Sequence, residues 1–298
     1  MKTELYPILF NNVYKDYIWG GNRISRLYSR SDTPTPCAES WEISANPDGM
    51  SVVKNGPFKG MCLRELVSKF KNDLLGTSAK TKHFPVLIKI IDAGQRLSVQ
   101  VHPDEKAAAE LGGEPKSEMW YVLDALPGSK IFIGLKEGTT AESFSLATRN
   151  GTLESTMRYV NAVPGTAIHV PAGRVHAIGE GCLLLEIQQT SNTTYRVFDW
   201  NRVGHDRKPR PVHMTEAMKS IRWFDNEPVM VEPVVISKSK DKTVTSVLKC
   251  RHFNVDKIDL LSESAFSTEL KSFHALFTAR GTVSVTAGDH GIIMEAGT

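Results

Sequence analysis

The alternating run Leu97-Ser98-Val99-Gln100-Val101-His102-Pro103 constrains this chain more than any other stretch. Apolar side chains at every second position define a half-buried β-strand, and the period of two sends Gln100 and His102 to the same face, about 7 Å apart. A second strand-like stretch, Lys116-Ser117-Glu118-Met119-Trp120-Tyr121-Val122, is rich in aromatic and β-branched residues and carries the carboxylate of Glu118 at its start. A Pro/Gly turn, Pro171-Ala172-Gly173-Arg174, separates two further apolar runs, with His176 where the second begins. Gln100, His102, Glu118 and His176 are therefore expected to converge inside a β-barrel on one divalent metal. His169, just before the turn, is the alternative to His176.

A chain of 298 residues has room for two domains or for one large β unit with insertions. Its formal charge of +3 is small and its Lys and Arg residues are scattered, so no nucleic-acid footprint is expected. No run approaches the roughly 18 to 20 apolar residues of a membrane span, and Met1-Lys2-Thr3-Glu4-Leu5 lacks a signal-peptide core. A cytoplasmic protein, monomeric or weakly dimeric, is expected. Cys37, Cys62, Cys182 and Cys250 are far apart and form no C-x-x-C pair, so they read as packing thiols.

The rest of the chain reads as short strands and turns with small helical insertions. Strands are expected at Tyr6–Phe10, Trp41–Ala45 and Ser51–Lys54, and after Trp19-Gly20-Gly21 the residues Arg23, Arg26 and Arg30 form either a solvated helix face or a phosphate contact. Leu63, Leu66, Val67 and Phe70 recur at helical spacing, predicting a helix over 62–75. Further helices are expected over 104–112, where Asp104 can cap, over 140–149 and 153–160, and over 213–222. Lys89 interrupts the apolar strand Pro85–Asp92, so its ammonium either finds a buried partner or snorkels to solvent. Glu186, in the apolar strand Cys182–Gln188, is equally conspicuous. Pro228–Pro233 reads as a boundary between a catalytic domain over 1–230 and a smaller β domain over 235–298, whose strands include Thr243–Lys249, Phe266–Lys271, His274–Thr278 and Gly281–Thr286. This second unit reads as incomplete at its C-terminal end.

Two imidazoles, a carboxylate and an amide oxygen make a mixed N/O set that suits zinc and can hold manganese, iron or cobalt. The histidines at 83, 205, 252, 274 and 290 lack such a context and read as structural or exposed, and His213 as a residue at a helix start. The phosphate-cradling glycine motifs and the G-x-S-x-G elbow are missing, which leaves metal-assisted acid/base chemistry.

Several motifs in order resemble the phosphomannose isomerases of the cupin class, in their short bacterial form: Ile18-Trp19-Gly20-Gly21, Glu39-Ser40-Trp41-Glu42-Ile43-Ser44, Leu97–Asp104, Lys116–Tyr121, Val170–Gly173 with His176-Ala177-Ile178, and Tyr195-Arg196 with Asp199–Arg202. The resemblance runs from about residue 5 to residue 222 and implies a mainly β fold of two cupin-type jelly-roll barrels, with the helical insertions in the first. It implies zinc-dependent interconversion of mannose 6-phosphate and fructose 6-phosphate, with a sugar phosphate as the only partner. By it, Gln100, His102, Glu118 and His176 are the metal ligands, Arg196 the active-site arginine and Glu186 the proton-transfer carboxylate. Lys89, Ser98, Lys116 and Trp19 line the substrate pocket, Lys89 and Lys116 being alternatives for the base. The rival expectations are a cupin that binds metal or sugar phosphate without turnover, and a cupin enzyme of another reaction type.

Overall fold

Antiparallel pairing organises the chain throughout, as expected where strands follow one another without intervening crossover helices. The computed structural model describes residues 4–77, 79, 81, 83–204 and 207–298; the first three residues of the N-terminal stretch and His205 lie outside the described residues. Its strands are β1 (Val13–Lys15), β2 (Glu39–Ile43), β3 (Val86–Asp92), β4 (Val99–Val101), β5 (Glu118–Ala125), β6 (Lys130–Leu135), β7 (Met157–Asn161), β8 (Ala167–Val170), β9 (His176–Ile178), β10 (Cys182–Gln189), β11 (Tyr195–Phe198), β12 (Val234–Lys238), β13 (Lys242–Lys249), β14 (Asn254–Leu260), β15 (Thr282–Ala287) and β16 (His290–Glu295). The helices are α1 (Arg23–Leu27), α2 (Leu63–Phe70), α3 (Asn72–Leu75), α4 (Glu105–Leu111), α5 (Ala141–Arg149) and α6 (Met214–Ser220). None of them is long and apolar enough to cross a membrane.

A six-stranded sheet runs in the order β1-β2-β3-β10-β5-β8 and a five-stranded sheet in the order β11-β4-β9-β6-β7. Side chains from both meet in one core: Ile91, Trp120, Val122, Ile168 and Leu184 from the first sheet pack with Ile131, Ile133 and Ile178 from the second and with Leu97, just ahead of β4. The outer face of the six-stranded sheet, with Ile88, Met119 and Ile187, is covered by Leu63, Leu66 and Val67 of α2 and by Val247 and Leu248 of β13. The outer face of the five-stranded sheet, with Val99, Val101, Phe132 and Ala177, is covered by Phe144 and Ala147 of α5 and by Ala217 of α6. The central strands of each sheet are thus covered on both faces. This is why β3 reads as an unbroken apolar run, every residue of it buried, Lys89 included.

The insertions follow their local signals in part. Asp104 caps α4 by accepting from the Ala107 amide, and Gly112, in the left-handed conformation, ends it. The helix expected over 62–75 breaks at Lys71, where φ is +46°, into α2 and α3. The helix expected over 153–160 is absent: Leu153–Thr156 is a single 3-10 turn, and Met157–Asn161 is strand β7 paired with β6. Leu153, Met157 and Val160 mimic a helical stripe, but the free edge of β6 claims the segment. Phe266–Lys271 is no strand either, because Glu269 and Leu270 adopt φ of +50° and +56° in succession and turn the chain. His274–Thr278 is not a strand, although Thr278 exchanges backbone hydrogen bonds with Gly297 and Thr298, and the Tyr6–Phe10 and Ser51–Lys54 stretches contribute only isolated bridges, Phe10 to Val53 and Val52 to Cys62. Beyond residue 233 lie a three-stranded sheet, β12-β13-β14, and the β15-β16 hairpin.

Arg23 faces neither solvent nor a ligand. It is 6% exposed and grips the fully buried Asp92, its Nε 3.0 Å from Oδ1, and reaches the Gly181 carbonyl. Arg30 pairs with Glu42 at 2.9 Å. Of the arginines behind the Gly-Gly turn, these two are consumed by structural pairs.

Candidate metal centre and active site

Strand register carries the chemistry-bearing residues to the inner faces. Across the five-stranded sheet Arg196 pairs with Gln100 and Gln100 with His176, which sets the three in one row. Across the other sheet the row is Trp41, Lys89, Glu186 and Trp120, and the adjacent inward row contains Gln188 opposite Glu118. His102 follows β4 with the parity of Gln100, so the two rows close on one point from opposite sheets.

There His102, Glu118 and His176 present ligand atoms within 4.8 Å of one another, each side chain 1% exposed. His102 Nε2 is 3.0 Å from Glu118 Oε1, His176 Nε2 is 3.9 Å from Glu118 Oε2, and the two imidazole centroids are 4.8 Å apart. Each ring is oriented from behind, Nδ1 of His102 lying 2.9 Å from the Thr193 carbonyl and Nδ1 of His176 lying 2.8 Å from the Arg174 carbonyl. A carbonyl can only accept, so Nδ1 carries the proton and donates, leaving each Nε2 lone pair aimed inward. Burial, and then the Lys116 ammonium, keeps His102 below the ordinary histidine range; burial and His102 push His176 down to about 3. Both rings are therefore neutral at pH 7. Burial works against the charge of Glu118, but Lys116 Nζ, 2.8 Å from Oε1, prevails and holds the carboxyl well below the usual range.

Acceptors thus confront acceptors. Beyond the Lys116 ion pair, neither oxygen of Glu118 has a hydrogen-bond partner among the described residues, nor has His102 Nε2, although all three atoms are buried. Lone pairs turned on one another in an apolar enclosure are costly unless a cation lies among them. The residues fit a divalent metal on this ground. Gln100 stands beside them with its amide nitrogen 3.2 Å from His176 Nε2 and its oxygen 3.3 Å from Ser98 Oγ. A half-turn about its terminal torsion exchanges the two atoms and brings the oxygen inward as a fourth donor.

A second buried polar group adjoins the first. Lys89, 5% exposed, lies 2.9 Å from Glu186 Oε1 and 3.4 Å from Glu39 Oε2. Burial disfavours its charge, but the carboxylates of Glu186, Glu39 and Glu118 outweigh burial and raise its pKa. Glu186 also accepts from Trp120 Nε1 at 2.8 Å, and burial followed by the nearby Glu118 charge raises its pKa above the usual carboxylate range. Arg196 donates to the Pro211 carbonyl at 2.8 Å while its Nε is buried without a partner among the described residues. Trp19 is buried in the shared core with Leu97 and Trp120, and Tyr17 packs against it at 5.7 Å. His169 stands apart; its carbonyl accepts from Arg174 Nη1.

Residues singled out by the structure alone are Glu39, Trp120 and Gln188. Trp120 both donates to Glu186 and stands edge-on to His176 at 5.3 Å, and Gln188, paired in register with Glu118, keeps a buried Oε1 without a partner among the described residues. For two of them the signal in sequence was parity: Trp120 is two residues from Glu118, and Gln188 two from Glu186.

The chain also resembles known proteins of one family. Residues 8–124 match the family described as phosphomannose isomerase type I, catalytic domain. Over 295 residues the chain is 36% identical to mannose-6-phosphate isomerase ManA of Bacillus subtilis, covering 97% of this chain and 90% of that protein. The chain belongs to the mannose-6-phosphate isomerase family. A crystal structure of the B. subtilis mannose 6-phosphate isomerase superposes with a TM-score of 0.88 at 28% identity, over 98% of this chain and 92% of that one. A zinc-bound mannose 6-phosphate isomerase shares the fold, with a TM-score of 0.75 at 18% identity over 97% and 92% of the two chains.

Proposed function

We propose that this chain interconverts mannose 6-phosphate and fructose 6-phosphate between its two large sheets, with one zinc ion held by His102, Glu118, His176 and Gln100. The observation that carries the reading is the set of buried acceptors turned on one another, in which both oxygens of Glu118 and Nε2 of His102 have, beyond the Lys116 ion pair, no hydrogen-bond partner among the described residues. Two imidazoles, one carboxylate and one amide oxygen suit zinc, the ion bound in the relative of the same fold. When bound, zinc supplies Lewis-acid stabilisation of the negative charge that develops on the sugar oxygens, an effect of several kcal/mol.

The chain's own residues supply the rest. Glu186 takes the proton from C2 and returns it at C1, and its raised pKa brings its basicity nearer to working pH. Lys89 and Trp120 fix its carboxylate, and Glu39 keeps Lys89 between two charges. Arg196, permanently charged and in the row of Gln100, fixes the sugar beside the reacting carbons or meets its oxyanion. Lys116 serves catalysis beside Glu118, while Ser98 and Trp19 complete the lining of the substrate site. A carboxylate with its own oriented donors supports turnover over mere binding, since a sensor needs no proton carrier.

In this reading β3–β10 form a cupin-type jelly roll: the chain passes from sheet to sheet at each step from β3 to β6 and from β7 to β10. Residues 1–230 form the catalytic unit, and residues 235–298 a second, cupin-like β unit. The enzyme acts in the cytoplasm as a monomer or weak dimer. The test is metal analysis of the purified protein together with fructose 6-phosphate formation from mannose 6-phosphate before and after chelation. Near-stoichiometric zinc, loss of turnover on chelation and its return with zinc are expected; undiminished turnover by metal-free protein would overturn the assignment.

A further inference from the structure

The turn that delivers His176 is held from outside by a buried ion pair that the reaction itself does not use. Arg174, whose side chain is fully buried, directs Nε and Nη2 at the two oxygens of Asp225, with Nη2 2.8 Å from Oδ1. Its Nη1 donates to the carbonyls of His169 at 2.9 Å and Pro228 at 3.3 Å, and Nη2 to that of Glu227 at 3.4 Å. A planar guanidinium with this many fixed acceptors has little freedom left. The carbonyl of the same residue receives the Nδ1 proton of His176.

The segment that grips Arg174 is the connection leaving α6. It is stitched to the site side at several points: the Arg222 amide donates to Gly173 O at 2.8 Å, the His169 amide to Val229 O at 3.2 Å and the Val231 amide to Ala167 O at 3.0 Å. Gly173, at φ +86°, has no room for a side chain, since a Cβ there would meet Arg222 Cγ at 2.5 Å. Its amide donates to the His102 carbonyl at 2.8 Å. One turn therefore sets the ring of His176 through Arg174 O and the backbone of His102 through Gly173 N.

We infer that the Arg174–Asp225 clasp is a positioning device for the metal centre, holding the imidazoles of His176 and His102 at ligating distance from each other. The inference rests on the reading of these histidines as zinc ligands. Outer partners that orient a ligating histidine typically contribute about 10–100-fold to metal affinity.

The experiment measures the zinc dissociation constant by competition with a chromophoric chelator in Asp225→Asn and Arg174→Lys, with Asp92→Asn as control. Asp92→Asn breaks a comparably buried Arg–Asp pair that touches neither histidine. Asp225→Asn and Arg174→Lys are expected to weaken zinc binding about 10–100-fold, with kcat recovering in excess zinc, whereas Asp92→Asn lowers Tm and leaves zinc affinity unchanged. Wild-type zinc affinity in the two clasp variants overturns the inference. Linkage supplies a measurement on the unaltered protein: zinc should slow amide exchange at Gly173 and Arg222, and equal exchange with and without zinc also overturns it. If the wild-type protein binds no zinc at all, it is the functional assignment that fails instead.

Discussion

Glu186 shares one buried carboxylate between Trp120 Nε1 and the Lys89 ammonium, so its orientation is set before any substrate arrives. Replacing it by Gln keeps the shape and removes the proton carrier. Glu186→Gln should lower kcat by about 10²–10⁴ and abolish exchange of the C2 proton with solvent, with zinc content unchanged. Retained exchange would move the base role to Lys116 or Lys89. The pH profile follows from the same geometry. Glu186 must be ionised to accept a proton, and burial with the Glu118 charge raises its pKa above 4.5. As pH falls, kcat/KM should therefore decline at a higher pH than an ordinary carboxylate dictates. Trp120→Phe deletes a hydrogen bond to the ionised form and should move that limb further upward. A limb that stays put would separate Trp120 from the titration. The buried charge of Lys89 explains itself only in three dimensions: the sequence shows an ammonium in an apolar strand, but not that Glu39 and Glu186 arrive from the strands on either side.

Among the elements, those with a local cause were legible and those owed to a neighbour were not. Thr140 caps α5, accepting from Ser143 N at 3.2 Å while Ser143 Oγ accepts from Thr140 N, and this signal stands in the sequence. Thr140→Ala should cost about 1 kcal/mol, visible as a lower urea midpoint with kcat unchanged, because α5 packs on the outer side of the five-stranded sheet. By contrast β7 exists because β6 offers an edge, and its apolar spacing alone suggests a helix. Strand β14 has only Val255 and Ile258 half-buried among polar neighbours, and β12 is exposed along its whole length, so neither has a burial pattern to read. The site was legible for the complementary reason. Period-two parity puts Gln100 with His102 and Trp120 with Glu118, and a Pro/Gly turn ahead of His176 limits where that strand can begin; Glu39 needed the register between distant strands, which no local pattern encodes.

At the scale of the whole molecule, the apolar outer face of the six-stranded sheet depends on residues from the end of the chain. Val247 and Leu248 join its core, and the ring of Phe273 packs tilted against that of Phe84, their centroids 4.6 Å apart. Leu248→Ala should cost about 2–5 kcal/mol. Residues 1–233 expressed alone should expose Ile88, Met119 and Ile187 and be recovered as aggregate or at sharply lowered Tm. A soluble fragment of wild-type Tm would show the first part to be self-sufficient. Zinc adds a global term as well: a ligand bound only by the folded state stabilises it by about 2.7 kcal/mol at 100 times its Kd, so chelation should lower Tm in calorimetry.

The amide of Gly173 and the carbonyl of His102 join main chain to main chain. Such a link is strict about chain length. Between Val170 and His176 the protein should therefore tolerate exchanges at Pro171 and Ala172, outside the glycine and the clasped arginine, far better than a gain or loss of one residue, because a slipped count would reverse the direction of an imidazole while leaving every letter of the motif in place.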